Sequence, residues 1–216
     1  MSMNPITAVA GIQIPDSTIA KQATELLLTY GNEFLYNHSL RVFIFASLKG
    51  NRTKTSFDPE LLYVSSVFHD LGLTAQYSSP DLRFEVDGAN AAREFLKGHG
   101  LPNNSLQLVW DAIALHTTIG IAEHKEAEVA LLYSGVGLDV MGDGYENLSK
   151  DNREEIIAAY PRPGFKNKII PAFFEGFKHK TETTFGNIKA DVCAFMIPHF
   201  ERKNFCDCIL HSPWSE

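Results

Sequence analysis

A chain of 216 residues with 44% hydrophobic and 21% charged side chains can bury the core of one ordinary domain, which excludes disorder as the default. A formal charge of −7 leaves no overall electrostatic footprint for nucleic acid or an anionic membrane. No stretch approaches the roughly 20 apolar residues of a membrane span, and the N-terminus lacks the charged start and apolar core of a signal peptide, so a cytoplasmic protein is expected.

In chain order the patterns are helical. Ile19, Ala23, Leu26, Leu27, Tyr30 and Phe34 recur at steps of three and four, predicting one amphipathic helix from Ile19 to Phe34. A second runs from near Asn37 to Leu48, followed by a polar loop from Gly50 to Phe57. Asp58-Pro59 supplies an N-cap and a first-turn proline for a third helix that ends at His69-Asp70. After a long loop, Leu71 to Arg83, helices are expected from Val86 to Lys97, from Asn103 or Asn104 to about His116, and from Glu126 to Val140. A short helix from Ser149 or Asp151 to Ala159 is broken by Pro161-Arg162-Pro163-Gly164, and two more segments follow around Lys168–Lys178 and Asn187–Met196. Alternating β patterns are scarce, so the expected fold class is all-α, in a single domain. The basic stretch from Lys166 to Lys180 reads as a solvated face. Cys193, Cys206 and Cys208, odd in number and clustered late, read as reduced thiols; Cys206-x-Cys208 as a metal site is the weaker alternative.

The polar residues on these apolar faces are more specific. His69 and Asp70 close a run that belongs in a core, and both are costly to bury unless something binds them; a divalent cation does so best. His38 shares a face with Val42 and Phe45, and Asp139 ends the stripe Val129, Leu132, Val136. His38, His69, Asp70 and Asp139 together form a set of four N and O donors, predicted to be metal ligands. A lone core histidine or a capping aspartate would explain any one of them; for the set, coincidence is the weaker reading.

The order His, His-Asp, Asp resembles the HD-domain superfamily over about Asn37 to Gly142. The resemblance implies a single HD-type helical bundle with a metal-binding core at about 37–142 and a helical C-terminal extension at about 149–216. Tyr36-Asn37-His38-Ser39-Leu40-Arg41-Val42-Phe43, Phe84-Glu85-Val86-Asp87-Gly88-Ala89, Ile113-Ala114-Leu115-His116-Thr117 and Gly137-Leu138-Asp139-Val140-Met141-Gly142 are similar to the cyanamide hydratase family. Pro161-Arg162 and Lys178-His179-Lys180-Thr181 in the tail are similar to it less specifically. That likeness implies addition of water to the nitrile of cyanamide to give urea, with a small-molecule nitrile as the partner.

One divalent ion with open positions can lower the pKa of bound water to near 7 when it is zinc, giving hydroxide as nucleophile; zinc is preferred and iron(II) also suits these ligands. His116, which continues the stripe Leu106, Val109, Ile113, and Thr117 are candidate donors to the charge growing on the nitrile nitrogen; a core histidine bonded to a carbonyl is the alternative. Glu85 and Asp87 are candidate proton acceptors or anchors for the ligands, and a helix start favouring acidic residues explains them nearly as well. The main rival is a metal-dependent phosphohydrolase, for which Arg41, Arg83 and Arg93 are the nearby cations. A di-iron oxygenase needs further histidines, and Glu85-Val86-Asp87 lacks one, although His99, His116 and His124 leave an opening. A helical scaffold with a structural metal is the non-enzymatic alternative. Phe195, Phe200, Phe205 and Trp214 could serve a homo-oligomer, with core packing as their simpler use.

Overall fold

Asp58 caps the helix Pro59–Phe68 (α3) by accepting from the backbone N–H groups of Glu60 and Leu61, with the proline at its first position. Residues 61–68 are all buried, so α3 runs through the core and delivers His69 and Asp70 at its C-terminal end. The computed structural model describes residues 7–211, which places Trp214 outside the described part.

The predicted helix from Ile19 to Phe34 is two helices. Thr18–Tyr30 (α1) ends where Gly31 donates its N–H to Leu27 O, and Asn32 caps Glu33–Thr53 (α2). A Cβ on Gly31 would lie 2.6 Å from Leu27 O, so the chain passes too close there for a larger residue. Periodicity alone carries through this break because Phe34 continues the apolar spacing of α1. Helix α2 is the centre of the bundle, buried continuously from Asn37 to Ser47, and it runs past the predicted end at Leu48 to Thr53.

The chain continues through Phe84–Gly98 (α4), Asn103–Leu115 (α5) and Ala127–Met141 (α6). Two glycines draw α4 against the His69-Asp70 turn: a Cβ on Gly88 would stand 2.8 Å from Phe68 O, and one on Gly72 would stand 1.9 Å from Phe84 O. A third seats α6 on α2, since a Cβ on Gly135 would be 2.4 Å from Val42 O. Asp139 lies one turn beyond Gly135 and His38 one turn before Val42, so the antiparallel pair brings the two together.

The C-terminal part comprises Lys150–Ala159 (α7), Phe165–Phe177 (α8), Lys189–Met196 (α9) and Phe205–Leu210 (α10). Phe177 and Cys193 pack with Phe84 of α4 in a second apolar cluster. Lys166, Lys168 and Lys178 are exposed as expected of a solvated face, but Lys180 is fully buried against Asp87. The sequence contained no signal for the hairpin Ala8–Val9 and Ile12–Gln13, whose two-residue turn has both Ala10 (φ 50°) and Gly11 (φ 76°) in the left-handed region. Among the described residues, no helix is long and apolar enough to cross a membrane.

Candidate metal centre

His38, from the first half of α2, converges with His69 and Asp70 at the C-terminal end of α3. His38 Nε2 and His69 Nε2 are 3.2 Å apart, and Asp70 Oδ2 is 3.5 Å from the first and 3.3 Å from the second. All three side chains are buried, and both oxygens of Asp70 lack a hydrogen-bond partner. Each imidazole is held from behind. His38 Nδ1–H donates to Asp139 Oδ2 at 2.6 Å, and His69 Nδ1–H donates to Ser66 O at 2.7 Å. The Nε2 atoms therefore present lone pairs to each other at close range, an arrangement that is repulsive unless a cation lies between them.

The spacing fits a metal ion. Donors about 2.0–2.2 Å from a tetrahedral centre stand roughly 3.3–3.6 Å from one another, and the three observed separations match one face of such a shell. These residues are the group among the described ones whose ligand atoms all lie within 4.8 Å. A divalent ion held by His38, His69 and Asp70 would satisfy two facing lone pairs and an orphaned carboxylate at once, and this donor set suits zinc and ferrous iron alike.

A family model described as HD domain matches residues 35–160, more than half of the chain. The chain belongs to the HD-domain family. HD-domain proteins are in general metal-dependent hydrolases, which supports an enzyme here, and the match extends beyond Gly142 through α7. A comparison with curated proteins finds no match.

Within this HD domain Asp139 stands differently from the expected fourth ligand. Its Oδ2 is taken by His38 Nδ1 and Arg41 Nη2 (2.7 Å), its Oδ1 by Arg41 Nε (2.8 Å). The fully buried guanidinium of Arg41 also donates to Tyr160 O and Pro161 O, and Arg162 Nη2 donates to Asp139 O at 2.7 Å. Asp139 thus orients and polarises His38 and is one bond removed from the cluster. A carboxylate at the end of an apolar stripe predicts a buried partner, but the spacing cannot tell a metal from an arginine one turn along α2.

Electrostatics follow the geometry. Burial opposes ionisation of Asp70, but the imidazoles of His69, His116 and His38 outweigh it and hold the carboxyl well below its usual range. Burial likewise opposes ionisation of Asp139, yet His38 and Arg41 keep it strongly depressed. For His38 burial dominates and lowers the pKa; for His69 burial is overcome by the adjacent Asp70, and its pKa is raised.

The other HD-domain candidates divide into two groups. His116 belongs to the centre: its ring is 4.9 Å from that of His69, Nδ1–H donates to Ile113 O at 2.6 Å, and Nε2, buried and without a partner, lies 3.7 Å from Asp70 Oδ1. The bond to a carbonyl, which would mark a plain core histidine, is present, but it leaves Nε2 as an acceptor on the cluster side. Thr117 gives its hydroxyl hydrogen to Glu85 Oε1 and so is not a free donor for a substrate. Glu85 is buried and also takes Lys189 Nζ and Arg83 Nη2. Asp87 accepts from Lys180 Nζ at 2.7 Å and from Ser79 N, which makes it an anchor for the C-terminal segment. Lys180, Lys189 and Arg162 were missed because charged residues in a polar stretch read as solvated; the tail segments containing Lys180 and Arg162 were the one signal available. His99 meets Phe95 edge-on and His124 is exposed, and neither stands with the cluster of His38, His69 and Asp70.

Proposed function

We propose that the chain is a metal-dependent hydratase that adds water to the nitrile of cyanamide to give urea. The observation that carries this reading is a buried centre around which the buried cations Arg41, Lys180 and Lys189 are already committed. Arg41 is bonded to Asp139 and two carbonyls, Lys180 to Asp87, and Lys189 to Glu85, while Arg93 stacks on Trp110 and donates to Gln107. Such a centre suits a small uncharged molecule, whereas a phosphate ester needs cations free to receive it. The resemblance of the four motif segments to the cyanamide hydratase family is what suggests the nitrile.

His38, His69 and Asp70 would hold a divalent ion, which would supply Lewis acidity and acidify water when bound. The chain's own residues manage the proton. With Nδ1–H fixed on Ile113 O, His116 Nε2 can accept a proton from the attacking water as the water oxygen bonds to the nitrile carbon. As imidazolium, steadied by the Asp70 carboxylate, it returns that proton to the nitrile nitrogen as one carbon–nitrogen π bond opens. The resulting isourea becomes urea by moving one proton from oxygen to nitrogen, so the balance is cyanamide plus one water. His116 is therefore a proton carrier in this scheme, with Thr117, Glu85 and Asp87 in support and Asp139 orienting His38.

A phosphohydrolase is the second reading. It draws on the general activity of the family and on Arg83, whose buried Nε is unpartnered and which borders a cavity of about 630 Å³. Urea formation from cyanamide by metal-replete protein, with Asp70→Ala as the blank, separates the two. Urea lost in the blank supports the hydratase; no urea, with phosphate released from a nucleotide, replaces it with the phosphohydrolase.

A further inference from the structure

The carboxylate of Glu85 is bonded on one side only. Oε1 takes Lys189 Nζ at 2.5 Å, Thr117 Oγ1 at 2.5 Å and Arg83 Nη2 at 3.1 Å, while Oε2, shut off from solvent, has no partner. The three donors come from three segments: α9, the residues after α5, and the residue before α4. Crowding them on one oxygen leaves a full acceptor bare in a buried site, which is costly unless a bound molecule brings a donor to it. His116 is the titratable group that faces Glu85 from α5, and its Nε2 is bare as well. Arg83 and Thr117 line the cavity of about 630 Å³, and its lining also includes Asn187 and Ile188, just before α9.

Lys189 lies beyond residue 160, outside the segment matched by the family model, yet it is buried and its ammonium sits 5.3 Å from the ring centroid of Phe84. Burial lowers its pKa to about 8 against the pull of Glu85, and Arg83 acts in the same direction as burial. The converse holds for Glu85, where burial is outweighed by Lys189, His116 and Arg83 and the pKa falls to about 2.

We infer that α9 is part of the reaction centre: Lys189 is a positioning residue that secures Glu85 through Oε1 and leaves Oε2 as the acceptor for an N–H or O–H of the bound molecule. The inference rests on the hydratase reading for the identity of that donor, the amino group of cyanamide. It makes Glu85 a specificity element, favouring nitriles that carry N–H over those that do not.

The test uses the metal-loaded full chain and two readouts. One is the ¹³C titration of the Glu85 carboxyl, assigned with Glu85→Gln; the other is the ratio of kcat/KM for cyanamide to that for dimethylcyanamide. Lys189→Met should keep its metal, move the Glu85 titration up by about one to three pH units and lower the ratio roughly tenfold or more. Lys189→Arg should restore both in part. Lys180→Met, which breaks the neighbouring ion pair to Asp87, should leave the Glu85 titration in place. An unchanged titration in folded Lys189→Met, or an equal shift in Lys180→Met, would overturn the inference. Should Lys189→Met fail to fold, the reciprocal measurement decides: the Lys189 ammonium titrates near 8 in the native protein and lower in Glu85→Gln, and no difference refutes the pairing. A low Glu85 titration that rises in Lys189→Met, in a protein turning over neither nitrile, would sink the hydratase reading and leave the positioning role intact.

Discussion

Arg41→Met removes the guanidinium that joins α2, Asp139 and the start of the C-terminal part. Two bonds to the Asp139 carboxylate, at 2.8 and 2.7 Å, and two to the carbonyls of Tyr160 and Pro161, at 3.2 and 3.1 Å, disappear together. Removing one member of a buried ion pair costs about 3–5 kcal/mol, chiefly because the other charge stays behind without a partner. Arg162, 3.6 Å from Asp139 Oδ1, offsets part of that, and Pro161 O is partly open to water, while Tyr160 O adds about 1–3 kcal/mol. The expected loss is about 4 kcal/mol, which is roughly a thousandfold in the folding equilibrium. Urea denaturation in the presence of chelator isolates this from metal linkage. Adding Asp139→Asn should cost much less than the sum of the two single changes, because the charge that Arg41 neutralises is gone. A loss below about 1 kcal/mol, or additive single effects, would refute the view that this pair holds the centre from behind.

Four further outcomes are expected. Elemental analysis should find about one transition-metal equivalent per chain, lost in His69→Ala; normal metal content in that variant would sink the site. His116→Gln should retain the metal and lose turnover, and full activity would return the residue to a packing role. Gly135→Ala places a methyl 2.4 Å from Val42 O, a backbone atom that cannot swing away, so α6 must shift and about 1–3 kcal/mol of stability should be lost; a thermal melt unchanged from the parent would contradict the close approach. Glu85 has a depressed folded pKa, so between about 4.5 and about 2 the unfolded chain binds the extra proton and stability falls as pH is lowered through that window. The full term is about 3 kcal/mol, and Glu85→Gln should flatten the pH dependence of unfolding between pH 5 and 2. An equally steep profile in that variant would assign the acid sensitivity to other carboxylates.

The elements that were legible in the sequence are those with local chemical signals. Asp58-Pro59 locates the start of α3 to the residue, and the glycines after Met141 end α6 within a residue of the expected place. The break at Gly31-Asn32 was not legible because the apolar spacing runs through it, and the hairpin at Ala8–Gln13 is too short to alternate. For the site, His38, His69, Asp70 and His116 could be found because each is a polar group on an otherwise apolar face. The pairing of Lys180 and Lys189 could not be read, since their partners Asp87 and Glu85 are 93 and 104 residues away and only tertiary packing joins the charges. Asp139 shows the intermediate case: burial could be read from its stripe, but its direct partners, His38 and Arg41, depend on how α6 lies against α2.

The two lysines that join the C-terminal part to α4 both end on carboxylates of its first turn, Glu85 and Asp87. With the ligands of the candidate centre buried, an ion can enter or leave only when the packed chain parts somewhere. The frequency of that opening then sets how fast a chelator strips the protein. Metal exchange would then be a measure of local unfolding, slow while both ion pairs hold the segment and faster once either is broken.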